Sequence, residues 1–270
     1  MKGLGGRSGS LLRSIVSHGI SLEERTVSMT WHENIEDFGE EVKPESTFRF
    51  ECHPGLSCFG TCCATDVTLT PYDIARMRRH LGIDTHQFLS AYCVSRVDSR
   101  TGFPYVLLKH KEDGSCIFSE SQGCNIYESR PSCCRHYPLA RVVEKLGQSG
   151  NPLSKYHLQR RVAYCQGMDT GPEWTIEAYC EENGLGPYSR ANDLFLQIPF
   201  AFETLPLGLK KDKDVQTMIY QAVFDFDRFF EKYGRFGPST PPEDDHEMVA
   251  VLTGITLNLI RRTAHLKTIE

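Results

Sequence analysis

Apolar spacing and capping residues predict two helices early in the chain. Thr70-Pro71-Tyr72-Asp73 supplies a capping hydroxyl, a proline at the first helical position and an acid in the first turn. Ile74, Met77 and Leu81 then recur on one face before Gly82 ends the run. Asp84 and Gln87 form a second start ahead of Phe88, Leu89 and Tyr92, with Cys93 on the same apolar face. Shorter alternating runs predict strands at 48–50, 67–69, 103–108 and 139–143. Beyond 153 the pattern turns helical. Thr170-Gly171-Pro172-Glu173 has the form of a capping box before Trp174 and Ile176, which puts Cys180 on a helix. Residues 214–230 carry apolar side chains at helical period, and Met248, Val251, Leu252, Ile255 and Leu259 mark a further helix. Pro238, Pro241 and Pro242 separate the two.

Elsewhere the period fails. Residues 1–28 are rich in Gly, Ser and Arg and read as a disordered tail, followed by an acidic lead-in over 33–45. The stretch 111–138 is a long aperiodic loop holding Cys116, Cys124, Cys133 and Cys134. A loop of that length inside a compact domain needs something to tie it down. The expected fold is α+β: a loop-rich cysteine core with a few short strands, surrounded by helices, plus a C-terminal helical extension. The expected division is a poorly ordered tail over 1–46, a cysteine-cluster domain over 47–171 and helices packed on it over 172–270.

A chain of 270 residues buries enough surface to fold without a metal. Its net charge of -5 gives no basic field, so no nucleic-acid partner is expected, and the run Arg76–His80 reads as a solvated helix face. No apolar run has the length of a membrane span, and the N-terminal apolar stretch is too short for a signal peptide. The expected setting is therefore cytoplasmic, where stable disulfides are rare.

That setting matters because the chain has 11 cysteines, an odd number, and crowds them. They fall as Cys58-x3-Cys62-Cys63, Cys116 with Cys124, Cys133-Cys134, and Cys165 before Gln166-Gly167. Disulfides are one reading, but neighbours such as Cys62 and Cys63 cannot pair with each other without strain. A catalytic thiol is another, with Arg135 and His136 beside Cys134 to lower its pKa, yet it leaves the other cysteines unexplained. Soft-metal ligation accounts for number, clustering and loops together. No Cys-x2-Cys knuckle of a zinc ribbon occurs. A [4Fe–4S] cluster is less restrictive about spacing, though the radical S-adenosylmethionine pattern fails at Thr65. His53, His110 and His136 are further ligand candidates.

At these residues the chain resembles the YkgJ-type cysteine-cluster family of zinc- or iron-chelating domains. The elements are Cys52-x5-Cys58-x3-Cys62-Cys63, the pair Cys116 and Cys124, the segment Ile126-Tyr127-Glu128-Ser129-Arg130-Pro131-Ser132-Cys133-Cys134-Arg135, and Cys165-Gln166-Gly167. The first spacing is wider than the family's Cys-x2-Cys-x2-Cys-Cys. The resemblance implies eight ligands: Cys52, Cys58, Cys62, Cys63, Cys116, Cys124, Cys134 and Cys165. It leaves out Cys93, Cys133 and Cys180. Arg130 and Arg135 suit the negative charge of such a site, and Tyr127 packs against it.

What the resemblance implies is a metal-binding protein holding an iron–sulfur cluster or zinc or iron ions, for redox work or metal handling. Flagellin lysine methylases resemble this family through the Cys-x3-Cys-Cys and Arg-Pro-x2-Cys-Arg elements, so a protein-modifying enzyme acting on a protein substrate is the alternative. A third is a structural zinc scaffold that docks a protein partner on the face around Phe224, Phe226, Phe229 and Phe230.

Overall fold

The structure, a computed structural model, describes residues 27–28, 39–146, 152–159, 165–233 and 242–266. It is mixed α+β, with short antiparallel strands in the first two thirds and helices after them. Both predicted early helices form with complete capping boxes. Pro71–Leu81 starts from Thr70 and ends at a left-handed Gly82, and Thr85–Tyr92 starts from Asp84 with Gln87 reaching back. Cys93 opens the strand Cys93–Val97 instead of continuing the helix, although its side chain is buried as expected.

Among the described residues, four small sheets carry the strands. Thr68–Leu69, Pro104–Leu108 and Cys93–Val97 form one, with Pro104–Leu108 in the middle. Leu139–Leu146 pairs on one side with Val27–Ser28 and on the other with Pro152–Leu158, which in turn pairs with Glu40–Val42. Ser119–Glu120 and Gly123–Cys124 make a hairpin. Thr47–Phe50 pairs antiparallel with Met168–Thr175.

Three expectations need correction. The chain after 153 is first strand, not helix, because Pro152–Leu158 pairs with the neighbouring Leu139–Leu146 and the distant Glu40–Val42, and Met168–Thr175 with the distant Thr47–Phe50. Thr170 therefore caps nothing; Thr175 starts the helix Ile176–Glu182 by accepting from Ala178 N at 3.1 Å. The helix expected over 214–230 is two, Lys213–Val223 and Phe226–Tyr233. The break lets Asp225 and Asp227 take hydrogen bonds from Thr85 Oγ1 (3.2 Å) and Thr85 N (2.8 Å) at the start of another helix. Of the tail expected over 1–46, residues 1–26 and 29–38 lie outside the described residues, as do Pro238 and Pro241.

The largest apolar cluster joins Ile74, Met77, Phe88 and Val106 to Phe202, Phe226, Met248 and Leu252. It takes in the long helices Leu185–Glu203 and Asp245–Leu266. Phe224, Phe226, Phe229 and Phe230 are all buried in the fold, so they present no docking face. A second cluster, built on Phe48, Phe50, Tyr137, Leu139, Met168 and Tyr179, lies where Thr47–Phe50 meets Met168–Thr175. Among the described residues, no helix is long and apolar enough to cross a membrane.

Gly167 allows the closest approach in that second unit. Glu51 N donates to Gly167 O at 3.1 Å, and a Cβ on residue 167 would stand 1.9 Å from Glu51 O. Gly167→Ala should therefore cost about 1–3 kcal/mol by forcing the strands apart. Gly208→Ala, in a helix where the added Cβ meets nothing, should be neutral or slightly stabilising. Thermal unfolding of both variants checks this, and equal melting temperatures would contradict it.

Candidate metal centre

Each cysteine of the predicted set is carried by a short, tied-down segment. Cys52 follows the strand Thr47–Phe50, and the pairing of Phe50 with Met168 lays it beside the turn that bears Cys165. Cys58 Sγ accepts from Gln166 N at 3.3 Å. Two more bonds, Ser57 N to Gln166 Oε1 (3.2 Å) and Gln166 Nε2 to Ser57 Oγ (2.8 Å), fasten the same turns. Cys62 and Cys63 lie in the 3-10 turn Thr61–Ala64, entered through Gly60 at a left-handed φ of 80°. Cys116 N donates to Cys63 O at 2.8 Å, and Cys124 closes the hairpin opposite Ser119.

Cys134 rides on the helix Ser132–His136, whose start is held by a buried carboxylate. Asp73 accepts from Thr70 N (2.9 Å) and Thr70 Oγ1 (2.9 Å) in its own capping box. It also accepts from Ser132 N (2.8 Å) and Ser132 Oγ (3.3 Å). One side chain thus starts two helices and fixes the second, cysteine-bearing one to the core. Burial pushes the Asp73 carboxyl above its ordinary range, against the opposing pull of these four donors.

The side chains meet at a cavity of about 550 Å³. Cys52, Cys62, Cys63, Cys116, Cys124 and Cys134 line it, with Arg130 and an aromatic wall that includes Phe50, Phe59, Phe118, Tyr137 and Trp174. Cys58 and Cys165 are outside that lining, although Cys165 lies within electrostatic range of Cys52. None of the eleven cysteines forms a disulfide.

The thiols act on each other electrically. Burial pushes the Cys52 thiol up to about 11, reinforced by Cys62, Cys165 and Cys58 and opposed by Arg130. Burial also raises Cys116 and Cys124; Cys134 adds to both, while amide donors at Phe118 and Ile126 respectively pull them down. Cys63 is lowered, first by a hydrogen bond from Cys62, against burial and the neighbouring Cys134, Cys116 and Cys124. Among the described residues, no three Cys, His, Asp or Glu side chains are already closed around a point that would hold a metal ion. The thiols face one another at electrostatic range without forming a finished coordination shell.

Other predicted residues divide. The Arg130 guanidinium lies 3.8 Å above the Tyr127 ring and donates to Asn183 Oδ1 at 3.2 Å, while its Nη1 is buried with no hydrogen-bond partner. Tyr127 lines the cavity but is 57% exposed. Arg135 points elsewhere: it donates to the Asn183 and Glu128 carbonyls and lies over Tyr188. His136 Nδ1 meets Ser132 O at 2.8 Å, and His110 pairs with Asp66 and Thr65 O. His53 is at the cavity, its Nδ1 accepting from Gly55 N at 3.1 Å. Cys133 donates to Thr68 O at 3.9 Å, Cys180 to Tyr156 at 3.9 Å, and Cys93 is pushed up to about 12 by burial. Two contributors escaped the sequence reading. Gln166 stood inside a quoted motif, whereas Asp73 showed only its role as a first-turn acid.

Residues 51–166 match the model of the CxxCxxCC family, described as "Putative zinc- or iron-chelating domain". All eight cysteines of the predicted set fall inside the match. Over this segment the chain is similar to that zinc- or iron-chelating family, the same family its cysteine motifs resemble. No curated protein and no solved structure matches the chain.

Asp73→Ala removes the acceptor for two helix starts and strands buried donors. It should cost about 2–4 kcal/mol, with Asp73→Asn losing less because one acceptor oxygen remains. Urea unfolding of the two variants measures the difference; wild-type stability in Asp73→Ala would contradict the double role.

Proposed function

We propose that the domain binds metal through its clustered thiolates and that the bound centre, an iron–sulfur cluster or zinc or iron ions, is its working part in redox chemistry or metal handling. The observation that carries this is the convergence of six cysteines, from four separate segments, on one half-buried cavity. The donor set fits a soft metal. It is dominated by sulfur, a buried guanidinium offsets part of the negative charge, and amides at Gln166, Phe118 and Ile126 are aimed at sulfur. Such amide donors and the lack of a zinc-ribbon knuckle favour the iron–sulfur form. When bound, an iron–sulfur centre supplies one-electron chemistry and zinc a fixed dication. A cytoplasmic setting keeps the thiols reduced and ready to load.

A second reading is a metal-dependent enzyme that modifies protein, resembling flagellin lysine methylase. The cavity supports it, since about 550 Å³ falls within the rough 300–1,000 Å³ of small-molecule sites. Transfer of methyl groups from S-adenosylmethionine to a lysine-bearing protein tests that reading, and no incorporation by metal-loaded protein removes it.

Anaerobic purification followed by iron, sulfide and zinc assays tests the first. Cys62→Ser and Cys134→Ser should each hold less metal than wild type, and full retention in both would overturn the assignment. Arg130→Gln removes the cation near Cys52 and Cys124 and should weaken metal retention about tenfold against a competing chelator. Unchanged retention would take Arg130 out of the site.

A further inference from the structure

The adjacent cysteines at 62 and 63 belong to different neighbourhoods. Around Cys62 lies the pairing of Thr47–Phe50 with Met168–Thr175. There Glu51 N holds Gly167 O, and Gln166 N holds Cys58 Sγ. These bonds bring Cys52, Cys58 and Cys165 to one end of that two-stranded unit. Around Cys63 lies a second set of bonds. There Cys116 N holds Cys63 O, Ser119 N donates to Cys116 O at 2.9 Å, and Ser119 pairs with Cys124. The Asp73-anchored helix carries Cys134 to the same cavity, within electrostatic range of Cys63.

The nearest thiols divide along the same line. Cys52 lies within electrostatic range of Cys62, Cys165 and Cys58, whereas Cys63 lies within range of Cys134, Cys116 and Cys124. Cys116 and Cys124 each lie within range of Cys134 as well. The two groups touch through the hydrogen bond between Cys62 and Cys63. Successive residues of a 3-10 turn project about 120° apart, so a vicinal pair on such a turn can serve two sites that a single cysteine could not.

We infer that the eight cysteines form two neighbouring four-thiol metal sites, Cys52, Cys58, Cys62 and Cys165 in one and Cys63, Cys116, Cys124 and Cys134 in the other, divided at the Cys62–Cys63 peptide. This rests on the metal-binding reading and gives it a stoichiometry and a ligand partition. Each site draws on two or more segments far apart in sequence, so each stitches a different part of the fold. The first ties Thr47–Phe50 to Met168–Thr175, and the second ties the hairpin and the Ser132–His136 helix to the 3-10 turn. Four thiolates complete a tetrahedral shell for one divalent ion or hold one cubane cluster.

The test is titration of the reduced, metal-free full chain with Co(II) and, separately, Zn(II). Bound metal is counted by native mass spectrometry, and the cobalt–thiolate absorption is read alongside. Wild type should take up two ions. The double variant Cys52→Ser/Cys165→Ser should keep one, held by the second group, and Cys124→Ser/Cys134→Ser should keep one, held by the first. Their cobalt spectra should sum to that of wild type. The single variants Cys62→Ser and Cys63→Ser should each weaken one ion and spare the other, which keeps the partition testable if a double variant fails to fold. Loss of all metal from either double variant, or a wild-type capacity of one, would overturn the partition while leaving metal binding intact. A wild-type chain that binds neither ion and cannot be loaded with iron and sulfide would overturn both.

Discussion

Thiols crowded into a half-buried cavity resist ionisation, because burial penalises each anion and every anion formed raises the cost of the next. Cys52, Cys116 and Cys124 show both effects, burial first and neighbouring sulfurs after it. A cation that binds several sulfurs at once removes this penalty, and the protons leave as it enters. Only Arg130 among the residues named at the site brings positive charge, and one guanidinium cannot balance a full set of thiolates. The crowding is a standing cost that metal binding converts into affinity.

What holds the sulfurs in place despite that cost is backbone geometry set by residues that bind nothing themselves. Gly167 lets the Cys165 turn lie against Glu51, and Gln166 fastens it to the Cys58 turn. Asp73 gives the Cys134 helix its start from inside the core. Cys133 shows the precision this brings: its thiol turns toward Thr68, while Cys134, one residue on, turns to the cavity.

Local signals in the sequence carried the helices and the chemistry. Thr70 and Asp84 cap because their partners lie three residues away, and the cysteine motifs are short and dense. Long-range pairing was hidden. Thr170–Glu173 has the letters of a capping box, yet the strand Met168–Thr175 is claimed by Thr47–Phe50, more than a hundred residues earlier. For the same reason Asp73 showed one role and not its second, since Ser132 lies 59 residues on. Arg135 was read as a site residue from its place beside Cys134, but carbonyls of Asn183 and Glu128 take its donors.

Metal-edge X-ray absorption on the loaded protein tests the central claim most directly, because it counts and identifies the atoms bound to the metal. The account predicts an inner shell of sulfur alone, at about 2.3 Å for either zinc or iron. A shell dominated by nitrogen or oxygen would contradict it.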